Sequence, residues 1–173
     1  MLMKAVTIYQ PYASLIACGA KQFETRSWKT NYRGPIAIHA GKESFHLTLW
    51  QGMPAAQEAL VKAFGGWIDQ ERGGAQGLDA RYHDMPYGAV VATADLVECW
   101  YIGHVNWKGQ RCIGTGGSFT GTHDDERYDY IDGDELLFGD WREGRWAWEL
   151  ANVKPLPVPV PCRGKQGLWD WEL

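Results

Sequence analysis

Three charged side chains of different chemistry fall within six residues of one another, in the run Gly19-Ala20-Lys21-Gln22-Phe23-Glu24-Thr25-Arg26. Glu24 and Arg26 are two apart, so on a strand their side chains share one face while Phe23 and Thr25 take the other. Lys21 stands in the turn just before them. An amine, a carboxylate and a guanidinium gathered at one place can clamp an anion or move a proton. Burial and a nearby Arg26 lower the pKa of Lys21, whereas Glu24 raises it. A depressed lysine is a base, and a paired one is an electrostatic clamp. The plain structural alternative is an ion pair of Glu24 with Arg26 or Lys21 on the surface of the fold.

Further candidates surround this group. Gln10, Pro11 and Tyr12 lie at a strand–helix junction, where backbone N–H groups lack helical partners. Gln10 can read a base edge there, and Tyr12 can stack on a base or pack into the core. Arg33, in Tyr32-Arg33-Gly34, suits a phosphate or base contact, or a solvated turn. His39 shares a strand face with Ala37, opposite Ile36 and Ile38. It is either a hydrogen-bonded strand histidine or an acid/base group in a cleft. Asp95, amid apolar neighbours, needs a partner if buried, and Arg26 or Lys21 can supply one.

These residues require elements to hold them. Residues 3–9 read as a strand. Pro11 suits the first turn of a short helix carried by Tyr-Ala-Ser-Leu-Ile-Ala-Cys and stopped by Gly19. Residues 22–28 and 35–40 read as strands, and 43–50 and 54–64 as helices. Residues 65–87 are glycine-rich and irregular. Residues 88–101 carry the strongest strand pattern in the chain. The glycine- and acid-rich segment 102–144 reads as an insertion with a short helix near 133–138. Residues 145–151 and 153–160 read as extended, the latter kinked by Pro155, Pro157 and Pro159, and a final strand ends the chain. Short strands around one early helix imply a mainly β or α+β fold, a small mixed or antiparallel β-barrel with flanking short helices.

Composition narrows the function. Ten tryptophans and 21 glycines in 173 residues suit a small β fold, whose aromatics fill curved walls and whose glycines serve its corners. No stretch approaches the roughly 18 apolar residues that cross a bilayer, and the N-terminal apolar run is interrupted by Gln10 and Pro11. A cytoplasmic protein without a membrane partner is expected. Cys18, Cys99, Cys112 and Cys162 form no C-x-x-C pair and read as reduced thiols. The net charge of −4 argues against a generally nucleic-acid-binding surface, yet residues 1–42 carry six Lys or Arg against Glu24 alone, leaving a local basic face that can hold phosphates. The acidic run from Asp124 to Glu135, preceded by His123, reads as a solvated loop or a hard-cation site, and it lacks the spacing of an EF-hand. The glycine-rich stretch from Gly114 to Thr122 lacks a P-loop lysine and reads as a loop.

The run Q-P-Y-A-S-L-I-A-C-G-A-K-Q-F-E-T-R-S-W, followed by Y-R-G-P-I-A-I-H-A, closely resembles the ASCH (activating-signal-cointegrator homology) domain family. The family's G-x-K-x-x-E-x-R stands here as Gly19, Lys21, Glu24 and Arg26. The segments G-A-V-V-A-T-A-D-L-V-E-C, G-R-W-A-W-E-L-A-N-V and P-V-P-x-x-G-x-Q-G-L-W are also similar to it. The resemblance covers about residues 3–50, 86–101 and 139–171, and it makes residues 1–173 one domain with insertions at about 65–85 and 103–135. It implies a PUA-like barrel with a cleft beside the first helix, and recognition of RNA, a nucleobase or a nucleoside. One branch of the family removes the acetyl group from N4-acetylcytidine. Metal-dependent cleavage of single-stranded RNA is attributed to another.

The implied ligand-binding set is Gln10, Tyr12, Lys21, Glu24, Arg26, Arg33 and His39. Lys21 and Glu24 are the groups for catalysis if the chain is a hydrolase. In the amidohydrolase branch a threonine nucleophile stands three residues after the lysine, and here that position is Glu24. Thr25 is adjacent but points to the opposite face, so a glutamate-assisted attack by water takes the place of a hydroxyl nucleophile in that reading. No cofactor is implied, and a divalent metal is left open. Trp169 and Trp171 read as packing residues. A weaker third reading is a protein adaptor presenting Trp107 and Trp141.

Overall fold

A computed structural model describes residues 2–44, 85–115 and 127–172. It contains eight strands, β1 (Leu2–Gln10), β2 (Phe23–Arg26), β3 (Gly34–Ser44), β4 (Ala89–Val105), β5 (Arg111–Gly114), β6 (Tyr128–Ile131), β7 (Trp146–Pro161) and β8 (Leu168–Glu172). One helix, α1 (Tyr12–Ala17), and a 3-10 turn (Gly133–Phe138) complete the described elements. The fold is mainly β with short helices, as expected. The sheet is mixed and open, running β2-β7-β4-β3-β1-β8, with β5 paired to β4 and β6 to β5. Its order ends on β2 and β8 without closing, so the expected barrel is an open sheet among the described residues.

The chain clusters into two compact units, and β4 and β7 each run through both. The first unit comprises residues 1–21, 35–94 and 152–173. Here β1 pairs parallel with β3 and antiparallel with β8. Ala5, Ala37, Val90, Trp169 and Trp171 form one of its buried clusters, with Met3, Leu156 and Val160 packed against it. The two C-terminal tryptophans are packing residues, as the sequence suggested. Helix α1 buries Ala13, Leu15 and Ile16, and Gly19, at φ +80°, ends it in a conformation that glycine adopts without strain.

The prolines of β7 fit its place at the edge of this unit. The Cys162 N–H donates to the Gly88 carbonyl at 2.9 Å, so even-numbered residues there face β4. Pro155, Pro157, Pro159 and Pro161, which lack an N–H, therefore turn that side away from β4. Farther back the parity is reversed, because the Leu150 N–H donates to the Gln22 carbonyl. Asn152, at φ +51°, lies between the two stretches, where the parity changes. The expected kink at the prolines is thus a single strand running from Trp146 to Pro161.

The second unit comprises residues 22–34 and 95–151. Phe23, Trp100, Ile102, Ile113, Ile131, Trp141 and Ala147 form a core cluster, with Leu136 packed on it. The segment expected as an insertion with one short helix therefore supplies two strands and core side chains to this unit. The short helix anticipated near 133–138 is present as the 3-10 turn at Gly133–Phe138. The Glu135 carboxylate accepts from the N–H groups of Gln22 (2.8 Å) and Phe23 (3.2 Å), anchoring the start of β2. The expected helix at 43–50 is strand at its first two residues. The rest of it, the helix at 54–64, the irregular 65–84, His123 and Asp124–Glu126 lie outside the described residues. No helix among the described residues is long and apolar enough to cross a membrane.

Candidate functional site

In the second unit, β2 pairs antiparallel with β7 so that Glu24 stands directly opposite Trp148 and Arg26 opposite Trp146. Directly opposed residues project from the same face. One face of the two strands thus carries Glu24, Arg26, Trp146 and Trp148, while Phe23, Thr25 and Ala147 point the other way. The two-residue alternation read from the sequence is therefore correct, and it delivers an ion pair: Arg26 Nε lies 3.0 Å from Glu24 Oε1, with both side chains largely shielded from water.

Tryptophan frames this pair. The Arg26 guanidinium lies over the Trp148 ring, 6.0 Å from its centroid. Trp28 packs edge-on against Trp148 at 4.6 Å between centroids. Trp148 is fully buried, and its indole N–H has no hydrogen-bond partner among the described residues. An orphaned buried donor costs about 1–3 kcal/mol and calls for an explanation, such as a ligand or an ordered water. Beyond Arg26, the Lys29 ammonium sits 5.1 Å from the Trp146 centroid, and Tyr101 meets Trp146 edge-on at 5.4 Å. A carboxylate, two cations and four aromatic rings on one face are the ingredients of base recognition: acceptor, donors and flat stacking surfaces.

Sequence reasoning missed Trp28, Trp146, Trp148 and Tyr101. The alternation Trp146-Ala147-Trp148 on an extended segment was the available signal, since it places two large aromatics on one face.

In the first unit, the Lys21 side chain is only 1% exposed, and its ammonium lies 5.5 Å from the centroid of the Tyr12 ring. The Lys21 backbone N–H donates to the Leu15 carbonyl at 3.1 Å, fixing the residue against the end of α1. Gln10 is buried and committed to the backbone. Its Nε2 donates to the Pro86 carbonyl (2.8 Å), and its Oε1 accepts from the Ser14 N–H (3.1 Å), holding the first turn of the helix that carries Tyr12. The structure thus brings together Tyr12 with Lys21, and Glu24 with Arg26.

Arg33 and His39 sit in clusters of their own. The Arg33 guanidinium pairs with Glu98 and donates to the Thr30 (3.0 Å) and Tyr32 (2.8 Å) carbonyls. Glu98 also pairs with Arg127, whose guanidinium covers the Trp100 ring at 5.2 Å. His39 is buried, with Nε2 3.1 Å from the Cys162 carbonyl and its ring edge-on to Trp169 at 5.7 Å. Its Nδ1 has no partner among the described residues. Burial pushes the His39 pKa down, and the Cys162 carbonyl only partly offsets this, so the imidazole is neutral, with Nε2 as the donor.

Burial pushes all four cysteine thiols up, so none is a ready nucleophile. Among the described residues no three His, Cys, Asp or Glu side chains come together as metal ligands.

No curated protein matches the chain. A model of the ASCH domain matches residues 6–158, most of the chain, from within β1 through β6 and into β7, including Trp146 and Trp148. With its mainly β fold and this match, the chain belongs to the ASCH domain family, whose function is of the RNA-binding type.

Proposed function

We propose that this chain binds RNA, or a nucleobase or nucleoside derived from it, with the Glu24–Arg26–Trp148 face as its base-reading surface. The buried Trp148 indole N–H, on the residue directly opposite Glu24 and without a partner among the described residues, is the observation that carries this reading. In it, Glu24 accepts from an exocyclic amine, Arg26 donates to a carbonyl or phosphate oxygen, and Trp28 offers a half-exposed ring for stacking. Lys21 is held against Tyr12 at the end of α1, within the first unit. Arg33 steadies the loop before β3, and His39 fixes the segment after β7 within the first unit. Titration of ribonucleosides and short single-stranded RNA tests the reading. Arg26→Ala and Glu24→Gln are expected to weaken binding about tenfold or more each, and unchanged affinity for every ligand in both variants contradicts it.

A hydrolase acting on a modified nucleoside or on single-stranded RNA is the second reading. The near-complete burial of Lys21 beside Tyr12 favours it, because a lysine is costly to bury and is rarely kept so without a use. Glu24 would be the general base for attack by water in the second unit, and Lys21 the charge-tuning amine of the first. Incubation with N4-acetylcytidine and with single-stranded RNA, in the presence of Mn²⁺ or EDTA, separates the readings. Product made by the wild type and lost in Glu24→Gln establishes the enzyme, and intact substrates leave the binding module.

A further inference from the structure

We infer that the tryptophan-bearing face of the second unit takes two successive nucleotides of a single strand. Lys29, Trp146 and Tyr101 form a second stacking and phosphate-binding position beside the one built on Glu24, Arg26 and Trp148. This deepens the base-reading function proposed above and rests on it.

The register carries the argument. Trp146 and Trp148 are two residues apart on β7, so their attachment points lie about 6.6 Å apart along the strand. That step matches the separation of neighbouring nucleotides in an extended single strand. Each tryptophan has its own cation: Arg26 lies over Trp148 and Lys29 over Trp146. The two positions therefore repeat one pattern, a flat ring with a positive group beside it. They differ in access. Trp148 is fully buried with the half-buried Trp28 packed edge-on against it, so the outer ring offered at the first position is Trp28, whereas Trp146 and Tyr101 are themselves half-buried, and Lys29 is exposed at the end of a flexible stem. The first position thus has the acceptor and donors to read a base edge. The second has no carboxylate opposite its tryptophan, so it holds a base by stacking and its phosphate by charge, without preference for sequence. A duplex does not suit the face, because its bases hide the rings that must stack on tryptophan.

The test compares the four ribonucleosides, their homodinucleotides and the corresponding hexanucleotide RNAs, titrated at fixed salt. The dinucleotide is expected to bind at least about tenfold more tightly than its nucleoside. Trp146→Ala and Lys29→Ala are each expected to remove most of that gain, bringing the ratio of dinucleotide to nucleoside affinity toward one. Lys29→Ala, a substitution at an exposed side chain, is also expected to flatten the salt dependence of hexanucleotide binding by roughly 0.7 in log–log slope, one phosphate contact. Dinucleotides that bind no more tightly than nucleosides overturn the inference. So does an unchanged hexanucleotide affinity in both variants. If nucleosides still bind and respond to Arg26→Ala, only the second position has failed. If no RNA or nucleoside binds the wild type, the base-reading function has failed with it.

Discussion

The central residues are an acid and a base that neutralise each other until a ligand arrives. Glu24 and Arg26 are 3.0 Å apart and partly shielded, so removing either takes a charged partner from the other. Arg26→Ala is therefore expected to lower both ligand affinity and melting temperature, whereas Arg26→Lys restores the charge but not the fork of donors, and so recovers stability more fully than binding. Thermal unfolding beside titration separates the two effects. His39 gives a pH prediction. Its folded-state pKa lies below the ordinary value of 6.5, so the unfolded chain binds more protons on the acid side. The stability this histidine contributes is complete above pH 6.5 and is lost as pH falls from there toward its folded value. Melting temperatures recorded from pH 7.5 down to 5.0 are expected to fall more steeply in the wild type than in His39→Asn. The shared face of Glu24 and Arg26 was legible in the sequence because strand alternation is a local rule. The tryptophans that frame them were not, because their placement depends on a register between residues 23–26 and 146–149, set by pairing across more than a hundred residues.

At the scale of elements, the segment after β7 is held by close packing. A Cβ on Gly164 would lie 2.5 Å from His39 Cε1 and 2.8 Å from Thr7 Oγ1. Thr7 itself donates to the Lys165 carbonyl at 2.9 Å and accepts from the Trp169 indole N–H at 3.2 Å. Gly164→Ala is expected to destabilise the fold by about 1–3 kcal/mol, read as a lower urea midpoint with an unchanged slope. A midpoint equal to that of the wild type would show that the segment can move aside. Asn152 gives the complementary case. At φ +51° a β-branched residue is strained, so Asn152→Val is expected to cost about 1–2 kcal/mol, whereas Asn152→Gly relieves the backbone. Helix α1 was legible from Pro11, its apolar spacing and Gly19. Strands β5 and β6 were not. Each is four residues long, below the length at which alternation stands out, and their identity as strands comes from pairing with β4 and with each other.

Across the whole molecule, charge and family point the same way only locally. The chain carries a net −4, yet its first 42 residues are strongly basic, and of these Arg26 and Lys29 lie on the tryptophan face of the second unit. Binding of single-stranded RNA is therefore expected to be modest and sensitive to salt, with a slope set by the few phosphates these cations meet, roughly −0.7 for each. Trp107, 90% exposed in the turn between β4 and β5 with the Lys108 ammonium 5.1 Å from its ring, lies apart from the residues assigned to RNA, and Trp107→Ala is expected to leave RNA binding unchanged. The mainly β fold and the family were legible from long ordered motifs, whereas the division into two units was not, since both share the strands β4 and β7. The most direct test of the account is a fluorescence titration of the wild type and Arg26→Ala with ribonucleosides and short single-stranded RNA at low salt. Saturable quenching of tryptophan emission in the wild type, weakened about tenfold or more in Arg26→Ala, is the predicted result. Quenching that is absent, or identical in the two proteins, would contradict it.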